Sequence, residues 1–218
     1  MEKTQRIVIL AAGDFPKHPI PVRALHEADM VVCCDSAYET IKNEELIIKN
    51  YVVIGDGDSL TAEDKAALGD RWIQVDEQDY NDLHKAMQWA TSKYSILNSQ
   101  FSILGATGKR EDHSLGNISY LATFVEEYPG ADIEMITDYG RLSAFKGRRT
   151  FDSFPRQQVS LFSMTPHIPV TATDLQWPLK QRCLPTWWEG TLNSALSDSF
   201  SVEGGTIIVF QTFEPKEA

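Results

Sequence analysis

Tyr51-Val52-Val53-Ile54-Gly55-Asp56-Gly57-Asp58-Ser59 is the stretch on which the fold turns. Its first four residues are apolar and mostly β-branched, as in a strand buried on both faces. The glycines and carboxylates that follow end that strand in a polar loop. A short apolar strand feeding such a loop is the repeating unit of a parallel sheet flanked by helices, where ligands bind beyond the carboxyl ends of the strands. Outward in both directions the alternation recurs. Residues 7–12, 30–34, 101–104 and 133–136 read as further strands, and residues 36–46, 82–94 and 115–127 as helices. Within 82–94, Leu83, Ala86, Met87 and Ala90 fall on one helical face.

Past residue 147 the period changes to two. Apolar and polar residues alternate in Gln158-Val159-Ser160-Leu161-Phe162-Ser163, and Gly204-Gly205 stands between the strand-like runs 200–203 and 206–210 as a hairpin turn would. The basic cluster Lys146-Gly147-Arg148-Arg149 marks the expected junction. The pattern predicts an α/β domain over residues 1–147 and a small antiparallel β domain over 148–218, with no long linker and no internal repeat.

With 218 residues, 42% of them hydrophobic, the chain can bury a substantial core. A net charge of −11 argues against a nucleic-acid partner, which needs lysine and arginine to neutralise its phosphates. No apolar stretch approaches the ~20 residues of a membrane span. The run at 7–12 is too short for a signal sequence, so a cytoplasmic protein without a membrane partner is expected. Cys33-Cys34 and Cys183 offer neither a disulfide framework nor zinc spacing and read as buried small apolar residues.

Four polar clusters follow predicted strands. Asp35-Ser36 reads as a helix N-cap or as part of a site. Asp56 and Asp58, one glycine apart, either converge on a hard cation or form an Asx-rich turn. Before the helix at 82, Asp76, Glu77, Asp79 and Asp82 crowd together, and a bound cation would relieve their repulsion. Lys85 lies one turn beyond Asp82, positioned for a phosphate or for a simple surface pair. Gly105-Ala106-Thr107-Gly108-Lys109-Arg110-Glu111-Asp112-His113 is a glycine-containing turn between strand and helix. It matches neither the P-loop nor the dinucleotide fingerprint, yet it can present N–H groups and Arg110 to an anion.

In their order, Asp35-Ser36, Gly55-Asp56-Gly57-Asp58-Ser59, Gln78-Asp79-Tyr80-Asn81-Asp82-Leu83-His84-Lys85-Ala86 and the 105–113 turn together resemble the thiamine pyrophosphokinase family. The resemblance is firm from residue 7 to 118 and looser beyond. It implies an N-terminal Rossmann-like α/β domain and a C-terminal β-sandwich. It also implies a homodimer with active sites where the subunits meet, and Mg²⁺-dependent transfer of pyrophosphate from ATP to the hydroxyl of thiamine. Asp56, Asp58 and Asp82 would bind the metal, and Asp35, Ser59, Lys85, Thr107, Arg110, Asp112, His113 and Asn117 would line the nucleotide and phosphate site. Asp56, Asp58, Asp79, Asp82 and Arg110 would carry the chemistry, with Gln78 and Asp79 beside the acceptor and either Asp79 or Asp82 taking its proton.

In the C-terminal part, Leu175-Gln176-Trp177-Pro178-Leu179 and Gly190-Thr191-Leu192-Asn193-Ser194 resemble the family's acceptor segments, which makes Trp177, Asn193 and Ser194 candidate acceptor residues. Trp177 reads equally as a core residue of the β domain. Four positions depart from the family pattern: Asn81 for threonine, Lys109 for glycine, Asp174 for glycine and Leu192 for serine. Trp187-Trp188 has no counterpart in it. Rival readings are a metal-dependent nucleotide pyrophosphohydrolase using the same aspartates and a nucleotide or thiamine sensor without turnover. A haloacid-dehalogenase-type phosphatase is a third, but its aspartate pair belongs on the first strand.

Overall fold

The computed structural model describes residues 4–43 and 48–215. The chain divides into two compact units, Met1–Tyr120 with Gly130–Asp138, and Leu121–Pro129 with Tyr139–Ala218.

In the first unit, β1 (Gln5–Leu10), β2 (Met30–Cys34), β3 (Tyr51–Gly55), β4 (Trp72–Gln74), β5 (Ser99–Leu104) and β6 (Asp132–Ile136) form a parallel sheet. Its order is β4-β3-β2-β1-β5-β6. Ile7, Val8, Ile9 and Leu10 are almost wholly buried, as are Val31, Val32 and Cys33, because both faces of a parallel sheet are covered. The helices are α1 (Pro19–His26), α2 (Tyr38–Asn43), α3 (Ala62–Leu68), α4 (Asp82–Lys93) and α5 (Glu111–Glu127).

All five strands expected here are present, and β4 is additional. The helix expected over 36–46 is a 3-10 turn, Asp35–Ala37, followed by α2, and residues 44–46 lie outside the described residues. Two helices went unanticipated. α1 opens with Pro19-Ile20-Pro21, which reads as a breaker but suits a first helical turn; α3 is closed at its start by a Thr61–Asp64 capping box. α4 buries Leu83, Ala86, Met87 and Ala90, the face its period predicted.

The second unit is antiparallel: β7 (Gly140–Asp152), β8 (Gln157–Ser163), β9 (Val170–Thr173), β10 (Leu179–Arg182), β11 (Asn193–Ser194) and β12 (Ser199–Pro215). The expected hairpin at Gly204-Gly205 is absent. Both glycines lie inside β12, which pairs with β7 along its length, with β9 through its first half and with β8 through its second. Neither glycine has the positive φ that a hairpin turn demands. They mark a register shift between Gly204 and Thr206, and a Cβ on Gly205 would stand 1.9 Å from Thr165 Oγ1, so close packing selects glycine there. Lys146-Gly147-Arg148-Arg149 likewise lies within β7, opposite this shift. The core gathers Phe145, Phe151, Phe200, Leu161, Val202 and Ile207 from β7, β8 and β12.

Candidate active site

The sheet of the first unit reverses its direction of winding between β1 and β5, and such a switch point opens a crevice at the carboxyl ends of the strands. The loops leaving β1 and β5 are laced by backbone hydrogen bonds. Ala11 N–H donates to Leu104 O (2.9 Å), Gly13 N–H to Gly105 O (2.6 Å) and Asp14 N–H to Thr107 O (2.8 Å). A Cβ on Gly13 would lie 2.3 Å from Thr107 O, so this approach needs a glycine. Beside these loops lies a cleft of about 320 Å³, lined by Asp82, Thr107, Arg110, His113 and Asn117 together with the backbone of Ala11–Gly13. Ser36, from the Asp35-Ser36 cluster, lines it too, as do Lys109 and Asn81, which were given no site role from sequence.

Carboxylates crowd its rim. Asp35, at the end of β2, is buried and accepts the Gly57 N–H through Oδ2 (3.1 Å). Asp56 accepts Gln78 Nε2 (3.1 Å) and the Asp58 N–H (3.1 Å). The Gln78 hydrogen bond, more than any other contact, holds the Asp56 carboxyl below its usual range. The Asp58 bond is an Asx turn, one of the two readings of this loop. Asp82, at the first position of α4, behaves oppositely. Burial, and next the charge of Asp35, push its carboxyl up to about 6, with Asp56 adding to the effect and Lys85 opposing it. Lys85 Nζ stands 3.5 Å from Asp82 Oδ1 and is itself buried, so its charge is committed to the carboxylates. Asp58 and Ser59 are exposed on the loop, as are Gln78 and Asp79 before α4.

Among the described residues no group of three or more histidines, cysteines and carboxylates is placed to hold a metal ion. The crowding still fits a hard divalent cation. Mg²⁺ prefers a few carboxylate oxygens, keeping waters and phosphate oxygens for the rest, and the repulsion that adds to burial in raising Asp82 is what such an ion would relieve.

On the other wall, Arg110 forks onto Asp112, Nε to Oδ1 at 3.1 Å and Nη2 to Oδ2 at 2.5 Å. Both side chains are exposed, so solvent screens the pair and Arg110 can exchange it for a phosphate at little cost. Asn117 is engaged on both sides of its amide. Its Nδ2 donates to Ala106 O (2.8 Å) and its Oδ1 accepts Asn81 Nδ2 (3.0 Å), while Asn81 Oδ1 caps α4 through the His84 N–H (3.1 Å). Asparagine in place of threonine at 81 supplies the extra donor that ties α4 to α5. Asn81 and Asn117 both line the cleft, and nothing in local sequence signals that they are joined.

The acceptor candidates lie in the second unit. Asn193 and Ser194 are buried in β11, whereas Trp177 is 54% exposed, which removes it from the β core. The departures at Asp174 and Leu192 both carry left-handed backbone, with φ of 62° in each. A glycine at 174 would hold that conformation without strain. Trp187 packs edge-on against Phe162, and Trp188 is exposed. No helix among the described residues is long and apolar enough to cross a membrane.

Comparison with known proteins fits this geometry. The chain is similar to Thiamin pyrophosphokinase 1 of Caenorhabditis elegans, 27% identical over 105 residues, which span 46% of this chain and 43% of that protein. The solved thiamine pyrophosphokinase of Bacillus subtilis superposes with a TM-score of 0.73 at 22% identity, covering 95% of this chain and 99% of that one. The Candida albicans enzyme gives 0.78 at 17% identity, covering 97% and 93%. At these identities the superpositions speak for the fold alone. The thiamin pyrophosphokinase catalytic domain matches residues 22–133 and the thiamin pyrophosphokinase substrate-binding domain residues 140–210. With both domains present in that order, the chain belongs to the thiamin pyrophosphokinase family.

Proposed function

We propose that the chain transfers the terminal diphosphate of ATP to the hydroxyl of thiamine, giving thiamine diphosphate, AMP and a proton. The observation that carries this reading is the crowding of Asp35 and Asp56 about Asp82, which lines one cleft together with Arg110 and Thr107. Mg²⁺ held by Asp56, Asp58 and Asp82 would neutralise charge on the phosphates of ATP and on departing AMP. Arg110 leaves Asp112 to grip the transferring group, and Thr107, Ser59 and His113 offer it further polar contacts. Asp35 and Lys85 hold the acid loop and Asp82 in place, and Asn117 holds the β5 turn. Asp79, exposed beside Gln78, accepts the acceptor's proton.

The N-terminal domain thus holds nucleotide and metal, and the C-terminal domain holds the acceptor on Trp177, with Asn193 and Ser194 shaping that wall. A homodimer with active sites where its subunits meet completes the reading; Trp188 and Leu196 supply exposed apolar surface that a second copy would cover. The cytoplasm suits its three free thiols.

The test is to incubate the protein with ATP, Mg²⁺ and thiamine and to quantify AMP and thiamine diphosphate, omitting each component in turn. Stoichiometric formation of both, dependent on metal and thiamine, is expected. AMP without thiamine would point to a hydrolase instead, and binding without AMP to a sensor.

A further inference from the structure

A second cavity, of about 340 Å³, lies in the C-terminal unit between Trp177, Leu179, Arg182, Glu189, Leu192 and Asn193. One wall is set by Asn193, whose Oδ1 accepts the Trp177 N–H (3.1 Å) and whose Nδ2 donates to Trp177 O (2.7 Å). This clamp fixes the backbone of Trp177 while leaving its indole half in solvent, ready to receive a flat ring. The cavity is also lined by a 3-10 turn, Trp187–Gly190, that carries Glu189. Its carboxylate accepts the Thr186 hydroxyl at 2.8 Å and Arg182 Nη2 at 3.2 Å. The carboxylate side chain is 14% exposed and the guanidinium side chain 54%, so the anion is the inner member of the pair and the cation the outer.

We propose that Glu189 is a specificity-determining residue of this cavity, the counter-charge that selects a cationic aromatic alcohol over an uncharged one. The inference rests on the acceptor reading given above and adds to it a residue that no motif marked. An aromatic face and a fixed carboxylate lining one cavity attract a cationic ring by two routes, through the π quadrupole and through direct charge. Arg182 opposes the second route by partly neutralising Glu189 from its solvent side.

That opposition gives the test a sign. Thiamine binding to the full chain is measured by calorimetry, and KM for thiamine and for ATP by steady-state kinetics, in Glu189→Gln and Arg182→Gln. The uncharged alcohol 4-methyl-5-(2-hydroxyethyl)thiazole serves as a second probe. Glu189→Gln is expected to weaken thiamine about tenfold and Arg182→Gln to tighten it about threefold, with the neutral probe and the KM for ATP unmoved. If the ion pair merely staples the turn, both changes weaken thiamine and the neutral probe alike, and the proposal fails. It fails equally if neither variant alters thiamine affinity. Should Glu189→Gln lose its cooperative melt, Arg182→Gln alone decides: tightening supports the proposal, and any other result overturns it. Protein that binds thiamine in a Glu189-dependent way but yields no AMP would sink the transferase reading alone. Turnover indifferent to Glu189 would sink this inference alone.

Discussion

The acid rim of the N-terminal unit and the 186–189 turn of the C-terminal unit both present carboxylates to a cavity, in opposite electrical states. At the rim, Asp82 is half-buried beside Asp35 and Asp56, and the single ammonium of Lys85 does not offset burial and repulsion, so its carboxyl is pushed up to about 6. At the turn, the Thr186 hydroxyl first, and then Arg182, hold Glu189 below its usual range. Asp82 is raised by burial first and by its carboxylate neighbours next, whereas Glu189 is lowered by partners already in place. The proposed metal would act on the first environment, and the second leaves a weaker, exchangeable attraction.

The largest effect follows from the rim. Asp56→Asn and Asp82→Asn each remove one charge from the metal's share of the site and should lower kcat by about a hundredfold or more while leaving the circular dichroism spectrum unchanged. Wild-type turnover in either variant would take that residue out of the metal site. The next effect belongs to the other cavity. Trp177→Ala should raise KM for the acceptor by about tenfold and leave KM for ATP unchanged, since the indole is half exposed and supports no core. A lowered melting temperature with no change in KM would return Trp177 to a structural role.

These two regions were not equally legible in the sequence. Strands β1, β2, β3 and β5 announce themselves because burial on both faces forces continuous apolar runs, and the acid loop after β3 follows from strand polarity alone. Trp72-Ile73-Gln74 is too short and too polar at its end to read as a strand, and pairs only because β3 offers its edge. Gly204-Gly205 has the composition of a turn and the structure of a bulge, and what separates the two is the distant Thr165. The clamp of Asn193 on Trp177 and the pairing of Glu189 with Arg182 are likewise invisible locally. Each joins residues whose adjacency is decided by the β fold, so no spacing rule finds them.

The smallest effect discriminates best between the two electrical states, because it has opposite signs in them. For Asp82 the folded value, about 6, stands above the ordinary 3.8, so the folded chain binds the extra proton and its stability falls as pH rises between those values. Below pH 3.8 the cost is absent and above pH 6 it is complete. Asp82→Asn removes it and, in the absence of metal, should raise stability at pH 7.5 by about 1 kcal/mol, discounted for the solvent that reaches this carboxyl. Lys85 keeps Asp56 as a nearby counter-charge. That gain is a melting temperature higher by a few degrees, and it should vanish when the pair of proteins is compared below pH 4. Glu189 is lowered instead, so its contribution is present above the ordinary glutamate value of 4.5 and disappears as pH falls through the folded one. Glu189→Gln should therefore melt slightly below wild type at pH 7.5, with the difference closing in acid from the other side. Melting curves of both variants with chelator, at pH 7.5 and below pH 4, decide the matter: differences of the same sign would mean that the two carboxylates sit in one kind of environment, and the contrast between a crowded carboxyl and a partnered one would be lost.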